Sequence, residues 1–319
     1  MNVLSLFDGL SGGRIALKRA KINVKTYYSS EIDKYAIQIA NKNYPQDSKY
    51  RLGDVTKLSK KQLKKLNIDL LIGGSPCQGF SMIGKLQGSS TKNGIEVTTL
   101  KQYKKLKKQG FEFDGQSYLF WEFIRILHIV KPKYFMLENV RVTKKWLPMF
   151  NTALGCEPIF INSNLVSAQN RPRFYWTNIP MKKMPKNKGI LLKDILLKDI
   201  EMSLPLPQHF TKTFDGISRL DKGLFSDTSN DKACCLSTGS THYNKYLIHK
   251  YYGGSMASVV IDETKTEYLY RKITPLECER LQTLPENYTE GVSNTQRYKM
   301  IGNGWTINVV QHIFKGLKK

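Results

Sequence analysis

The chain has 319 residues, 40% of them apolar, and carries a formal net charge of +24 with a pI near 9.7. That length and apolar content can build a sizeable core in one large domain or two, and they exclude a disordered chain. No apolar run approaches the length of a membrane span, and no N-terminal signal is legible, because the strand-length run Val3–Phe7 meets Asp8 at once. The positive excess suits a polyanionic partner, nucleic acid first, although lysine can also accumulate on any solvated face. Cys77, Cys156, Cys234, Cys235 and Cys278 form an odd set without C-x-x-C spacing. Reduced thiols in the cytoplasm are therefore expected.

A first strand is expected over residues 3–7, followed by the glycine-rich turn Asp8-Gly9-Leu10-Ser11-Gly12-Gly13 and a helix from Arg14 to Ala20. A second strand, 24–29, ends at Ser30-Glu31, twenty-two residues beyond Gly9. Glycines admit a ligand close to the backbone, and an acid at the end of strand two takes ribose hydroxyls, so the pair reads as a nucleoside site. An ordinary βα turn is the alternative. Asp33 caps a helix through Tyr44, which Pro45 follows. A short third strand is expected to lead to Gly53-Asp54-Val55, where Asp54 either accepts the amino group of an adenine or caps a turn. A lysine-studded helix over 58–66 leads into a fourth strand, Ile68-Asp69-Leu70-Leu71-Ile72.

That strand delivers Gly73-Gly74-Ser75-Pro76-Cys77-Gln78-Gly79-Phe80-Ser81. Ligands of open α/β sheets bind outside the carboxyl ends of strands, and Pro76 stiffens the loop that carries the thiol. For an isolated cysteine the alternative is a small buried residue. From Gly84 to Gly115 periodicity is lost, and a long loop beside Cys77 reads as a lid that closes over DNA. Ser117 starts an amphipathic helix over 118–130, stopped by Pro132. A fifth strand, 134–137, then presents Glu138-Asn139-Val140, so neighbouring strand ends offer a thiol and a carboxyl to one cleft. A helix over 144–154 and a strand over 158–165 precede Gln169-Asn170-Arg171-Pro172-Arg173-Phe174-Tyr175-Trp176. Arg171 and Arg173 flank Pro172 and can share a face. They would clamp phosphate, hold Glu138, or form a surface salt bridge.

Residues 181–268 read as a smaller, irregular domain with strand-like pieces such as Ser258-Val259-Val260-Ile261 and polar loops at 237–243 and 251–255. Adjacent Cys234 and Cys235 with His242 are a poor zinc set, so no metal is expected. The main domain resumes where Thr274 caps a helix, Pro275 takes its first position and Glu277 lies three residues on. Gly302-Asn303-Gly304-Trp305 reads as a glycine turn opening a final helix over 307–317, with Asn303 tolerating a left-handed backbone. The expected division is thus 1–180, 181–268 and 269–319.

Phe7-Asp8-Gly9, Pro76-Cys77-Gln78, Glu138-Asn139-Val140, Gln169-x-Arg171-x-Arg173 and Gly302-Asn303 together resemble the DNA cytosine-5 methyltransferase family in identity, order and spacing. The resemblance covers about 1–180 and 269–317. Val166-Ser167-Ala168, Phe174-Tyr175-Trp176 and Trp305 resemble the animal de novo enzymes, whereas Gln78 looks like the bacterial and phage type, often part of restriction-modification. The fold so implied is a Rossmann-like α/β methyltransferase sheet with a small irregular target recognition domain. The cofactor implied is S-adenosylmethionine. By that resemblance Phe7 lies near the adenine, Asp8, Gly9, Leu10, Ser11, Gly12 and Gly13 wrap the methionine part, and Glu31 holds the ribose beside Ile32. Asp54 and Val55 would contact the adenine, and Pro76, Leu119, Asn303, Gly304 and Trp305 complete the pocket.

The resemblance also implies the chemistry. Cys77 adds to C6 of a cytosine flipped out of double-stranded DNA, which makes C5 nucleophilic enough to take a methyl group. Glu138 acts at N3, Arg171 and Arg173 position the base and its phosphate, and Asn139 braces the Cys77 loop. Gln78, Ser81 and Gln169 lie toward the DNA. One rival is a tRNA cytosine-5 methyltransferase, but its Cys-Phe-Thr signature is absent from this sequence. A second is an inactive DNA-binding relative, and a nicotinamide-dependent dehydrogenase would leave the Pro-Cys-Gln loop and the arginine pair without roles.

Overall fold

The computed structural model describes residues 1–76, 80, 89–197, 204–205, 232–233, 235, 259–262 and 269–318. Packing groups the chain into two units: Met1–Ile161, Pro172–Met184 and Gln311–Lys319 form the first, Asn162–Arg171 and Pro185–Val310 the second. The division expected at 180 and 268 follows the chain, whereas packing places residues 269–310 with the second unit.

The first unit is built on strands β1 (Asn2–Leu6), β2 (Thr26–Ser30), β3 (Leu70–Gly74), β4 (Tyr134–Val140), β5 (Ile159–Asn162) and β6 (Pro172–Thr177). They form one sheet in the order β2-β1-β3-β4-β6-β5. β2, β1, β3 and β4 pair in parallel, and β6 runs antiparallel to β4. The near-continuous burial of β3 is what a parallel strand covered on both faces requires. Its Gly73 allows close packing: a Cβ there would lie a tight 3.0 Å from the Leu6 carbonyl oxygen and 3.1 Å from the Phe123 ring, and one of them would have to give.

Helices α1 (Gly12–Arg19), α2 (Lys34–Asn43), α3 (Lys60–Lys64), α4 (Leu100–Lys108), α5 (Leu119–Val130) and α6 (Leu147–Leu154) belong to this unit. Asp33 caps α2 as its position suggests, accepting from the Tyr35 and Ala36 N–H groups. α5 buries Phe120, Trp121, Phe123, Ile124 and Ile126, and Phe80 fills the space between Phe120, Trp146 and Phe150 at 5.0–6.3 Å between ring centroids.

Two expectations are corrected. Residues 45–50 form a 3₁₀ helix begun by Pro45, and only an isolated bridge, Ser29 to Arg51, stands where a third strand was expected. The stretch expected as an open loop over 84–115 contains α4, capped by Thr99 and held by buried Tyr103 and Leu106.

The second unit contains a three-stranded sheet, β7 (Leu204–Pro205), β8 (Val259–Asp262) and β9 (Leu269–Lys272), in the order β7-β9-β8. Helices α7 (Pro275–Leu281) and α8 (Asn294–Asn303) follow, then α9 (Ile307–Phe314), whose last turn returns to the first unit. Thr274 and Glu277 form the expected capping box on α7. The loops at 237–243 and 251–255, with Cys234 and His242, lie outside the described residues. No helix among the described residues is long and apolar enough to cross a membrane, and no cluster there could hold a metal ion.

Candidate active site

β1 has β2 on one side and β3 on the other, so the chain changes direction across the sheet between β1 and β3. A crevice outside the carboxyl ends of those strands is where such sheets bind ligands. The turn after β1 is tightly wound, with Phe7 at φ 56°, Gly9 at φ 55° and Ser11 at φ 63°, all left-handed. A Cβ on Gly9 would meet nothing within 4 Å, so the backbone there faces open space. The Glu31 carboxylate draws β2's end onto this turn: Oε2 accepts from the Gly9 N–H at 2.8 Å, and Oε1 from the N–H groups of Ile32 (2.7 Å) and Asp33 (2.9 Å). Ile32 stands 71% exposed beside it.

Asp8 does a different job from its neighbours. Its side chain is fully buried and accepts from the Ser11 hydroxyl at 2.6 Å and the Tyr27 hydroxyl at 2.7 Å, with Arg51 at 3.9 Å. Burial pushes the carboxyl above the ordinary Asp value, against the downward pull of those hydrogen bonds and of Arg51. Asp8 therefore shapes the turn from within. Leu10, Gly12 and Gly13 are buried too and serve the packing of α1.

Asp54 caps the 3₁₀ turn Val55–Lys57 through Oδ1, which accepts from the Thr56 N–H at 2.9 Å and its hydroxyl at 2.8 Å. Burial acts to raise its pKa, but those bonds and nearby Lys57 and Lys107 outweigh it and hold the carboxyl below the ordinary Asp value. Behind the turn lies a cluster no sequence pattern announced. Glu122 on α5 is fully buried and meets the Tyr103 hydroxyl (2.5 Å), Lys107 Nζ (2.7 Å) and Arg125 Nε (2.7 Å). Arg125 then donates to the carbonyls of Leu58 (3.0 Å) and Val55 (3.2 Å), and Lys107 to that of Thr56 (3.3 Å). α4, α5 and the Asp54–Leu58 turn are thus tied by one buried charge cluster. Leu119, half-buried, is the first residue of α5.

β3 and β4 place Gly74 opposite Glu138. Glu138 Oε1 meets Arg173 Nε at 3.0 Å, and Arg173 reaches it because β6 runs antiparallel beside β4. Holding Glu138 is thus the one of the three readings of Arg173 that its contacts match. Asn139, buried, donates to the Ser75 carbonyl (3.3 Å) and hydroxyl (3.1 Å). On the far side of the loop, Phe80 is buried in its aromatic pocket and its carbonyl accepts from the Thr143 N–H at 3.2 Å. The chain is therefore fixed up to Pro76 and again at Phe80. Cys77, Gln78 and Ser81 lie outside the described residues.

In the second unit Arg171 is 4% exposed, and its guanidinium donates to the carbonyls of Gly302 and Gly304, both at 2.9 Å. These contacts hold the chain around Asn303, Gly304 and Trp305 and do not match a phosphate clamp. Gln169 is completely buried and donates to the Leu281 carbonyl at 3.2 Å, so it packs the interior and not a DNA-facing surface. The expected glycine turn is also corrected: Gly302 and Asn303 close α8 as helix, and Gly304 has φ −71°. Gln282, which carried no signal in the sequence, organises this region. Its amide donates to the Ile301 carbonyl at 3.0 Å, and its carbonyl oxygen accepts from the Thr306 hydroxyl at 2.8 Å.

The family model for C-5 cytosine-specific DNA methylases matches residues 1–146 and 162–319. The chain belongs to this family. It is a DNA cytosine-5 methyltransferase. The type II methyltransferase M1.ScrFI of Lactococcus lactis subsp. cremoris is 29% identical over 98% of this chain and 76% of its own length. The type II methyltransferase M.HhaI of Haemophilus parahaemolyticus is 26% identical over 98% of this chain and 93% of its own. Among solved structures, the Entamoeba histolytica methyltransferase EhMeth shares the fold with a TM-score of 0.69 at 21% identity, covering 100% of this chain and 99% of that one.

Proposed function

We propose that this methyltransferase takes S-adenosylmethionine as donor and methylates cytosine within a specific sequence of double-stranded DNA, as part of a bacterial or phage restriction-modification type of system. The residues fit the donor. The open backbone at Gly9 leaves room for the amino-acid part, the Glu31 carboxylate sits at the end of β2 for a ribose, and Ile32 exposes an apolar surface for a base. Asp54 Oδ2 has no hydrogen bond among the described residues and is free to accept an adenine amino group. By the family resemblance Phe7, Val55, Pro76, Leu119, Asn303, Gly304 and Trp305 would also serve the donor. When bound, the donor supplies an electrophilic methyl group on a sulfonium.

The chain's own residues do the rest. Cys77 as thiolate adds through Sγ to C6 of the flipped base, and the electron pair moves toward C5 and N3. Glu138 in its carboxylic acid form donates its O–H to N3 and stabilises the negative charge that collects there, taking the proton back when the C6–S bond breaks. C5 takes the methyl group, loses its proton to a base, and the C6–S bond breaks to return the thiolate. Arg173 holds the Glu138 carboxyl in one orientation, and Asn139 braces the loop that precedes Cys77. The observation that carries this reading is the pinning of Ser75 and Phe80 on either side of Cys77, beside Glu138 on the next strand.

The test is bisulfite sequencing of duplex DNA incubated with purified enzyme and S-adenosylmethionine, with Cys77→Ala as control. Protected cytosines in one short context, lost in the variant, are expected. Protection retained by Cys77→Ala would end the thiolate mechanism, and protection found only on transfer RNA would end the duplex reading.

A further inference from the structure

Residues 57–65 and 101–108 carry ten lysines, and no acidic residue occurs in 55–68 or 97–111. The fold sets these stretches side by side as α3 and α4, both packed on α5 in the first unit. Each helix buries only its apolar residues: Leu63 in α3, Tyr103 and Leu106 in α4. Lys60, Lys61, Lys64, Lys65, Lys101, Lys104, Lys105 and Lys108 are all exposed. None of these eight has an acidic partner among the described residues. Of the acids nearby among the described residues, Glu122 is buried and already engaged by Lys107 and Arg125, and Asp54 caps its own turn through Thr56 beside Lys57 and Lys107.

The spacing makes the charge costly. Lys60 and Lys64, Lys61 and Lys65, Lys101 and Lys105, and Lys104 and Lys108 are like-charge pairs four residues apart, an arrangement that weakens a helix. Lysine scattered merely for solubility does not need that pattern; a polyanion relieves it. Lys60, Lys64, Lys104 and Lys131 also surround a concavity of about 680 Å³ with Arg125 and His128. α4 sets out from the active-site end of the sheet, where Glu96 just ahead of it pairs with Lys145 at 2.9 Å, beyond the carboxyl end of β4. The concavity lies toward the other end of α5, whose twelve residues span about 18 Å.

We propose that the lysine face of α3 and α4 is a second, sequence-independent seat for the DNA backbone, engaging phosphates beyond the immediate neighbours of the target base. Compact, strongly charged ammonium groups without fixed partners suit phosphate contacts of this kind, which position a duplex without reading bases. The inference rests on the DNA methyltransferase reading and adds a surface to it.

The test compares the enzyme with a quadruple variant, Lys60→Gln, Lys64→Gln, Lys104→Gln and Lys105→Gln. Two duplexes carry the same methylated sequence in about 12 and about 40 base pairs, roughly 40 and 140 Å long. Binding is measured against salt. The enzyme is expected to show a steeper slope of log K on log salt with the long duplex, and the variant to lose about 0.9 of that slope for each lysine that reaches a phosphate. On the short duplex, binding and methylation rate are expected to be unchanged. The variant is also expected to melt at a higher temperature in low salt, through relief of lysine repulsion. Equal slopes for enzyme and variant on the long duplex would overturn the proposal. So would a transfer RNA that, at equal phosphate, competes better than the long duplex for the enzyme but not for the variant. An enzyme that methylates neither duplex would sink the methylation reading, and the slopes would still decide this one.

Discussion

Arg173 Nε lies 3.0 Å from Glu138 Oε1, with only 12% of either side chain exposed. The pair bridges two adjacent antiparallel strands, so the carboxyl at the end of β4 is set by a strand that arrives more than thirty residues later. Glu138→Gln is expected to lower the single-turnover methylation rate about 10²–10⁴-fold, the range for loss of a positioned acid-base group. Arg173→Gln is expected to lower it less. In the double variant the rate should match Glu138→Gln alone, because Arg173 acts through Glu138. Additive losses would show that Arg173 works elsewhere.

Asn139 is buried and spends its amide on Ser75. Asn139→Ala leaves the Ser75 carbonyl without that donor and is expected to cost about 1–3 kcal/mol in urea unfolding. Methylation rate should fall while cofactor affinity by calorimetry stays within about twofold, since the loop and not the cofactor turn is loosened. A parallel fall in cofactor affinity would place Asn139 in the other pocket.

Arg125 is expected to matter for the cofactor from a distance. Its guanidinium holds the Val55 and Leu58 carbonyls, and the turn they frame carries Asp54. Arg125→Lys should weaken cofactor binding about tenfold by calorimetry, with the rate at saturation little changed. Coupling with Asp54→Asn should be non-additive if the turn transmits the effect. Glu122→Gln is the harsher change, about 3 kcal/mol, because it strands cations against a buried site.

The Asp8 carboxyl is raised by burial, which fixes the sign of its pH dependence. A raised folded pKa contributes stability that is fully present below the unfolded value of 3.8 and is lost as pH rises through the folded value. Asp8→Asn removes that titration. The stability difference, enzyme minus variant, should therefore grow in favour of the enzyme as pH falls from neutral toward 3.8, and level off below it. A difference that shrinks on acidification would contradict the buried, desolvated Asp8.

Signals written within a few residues were legible. The cap at Asp33, the capping box at Thr274 and Glu277, and the strand ends bearing Glu31 and Glu138 all stand where local pattern put them. Partners distant in sequence were not. Arg171 meets carbonyls more than 130 residues away, Asp8 is claimed by Tyr27, and Gln282 looked like any helix-end residue. α4 escaped notice because one cap and two buried side chains are a weak period among five lysines. The expected third strand failed because Pro45 opens a 3₁₀ helix where pairing with β2 would have run.

The first unit draws on three separated stretches of chain, the last of them beginning at Gln311. Gln311 ties itself to the Arg19 carbonyl at 3.0 Å, and Gly316 packs against the carbonyl of Pro180 with no room for a Cβ. The first unit is therefore closed by a stretch of chain 292 residues away from the helix it braces, so its fold is secured across nearly the whole length of the sequence.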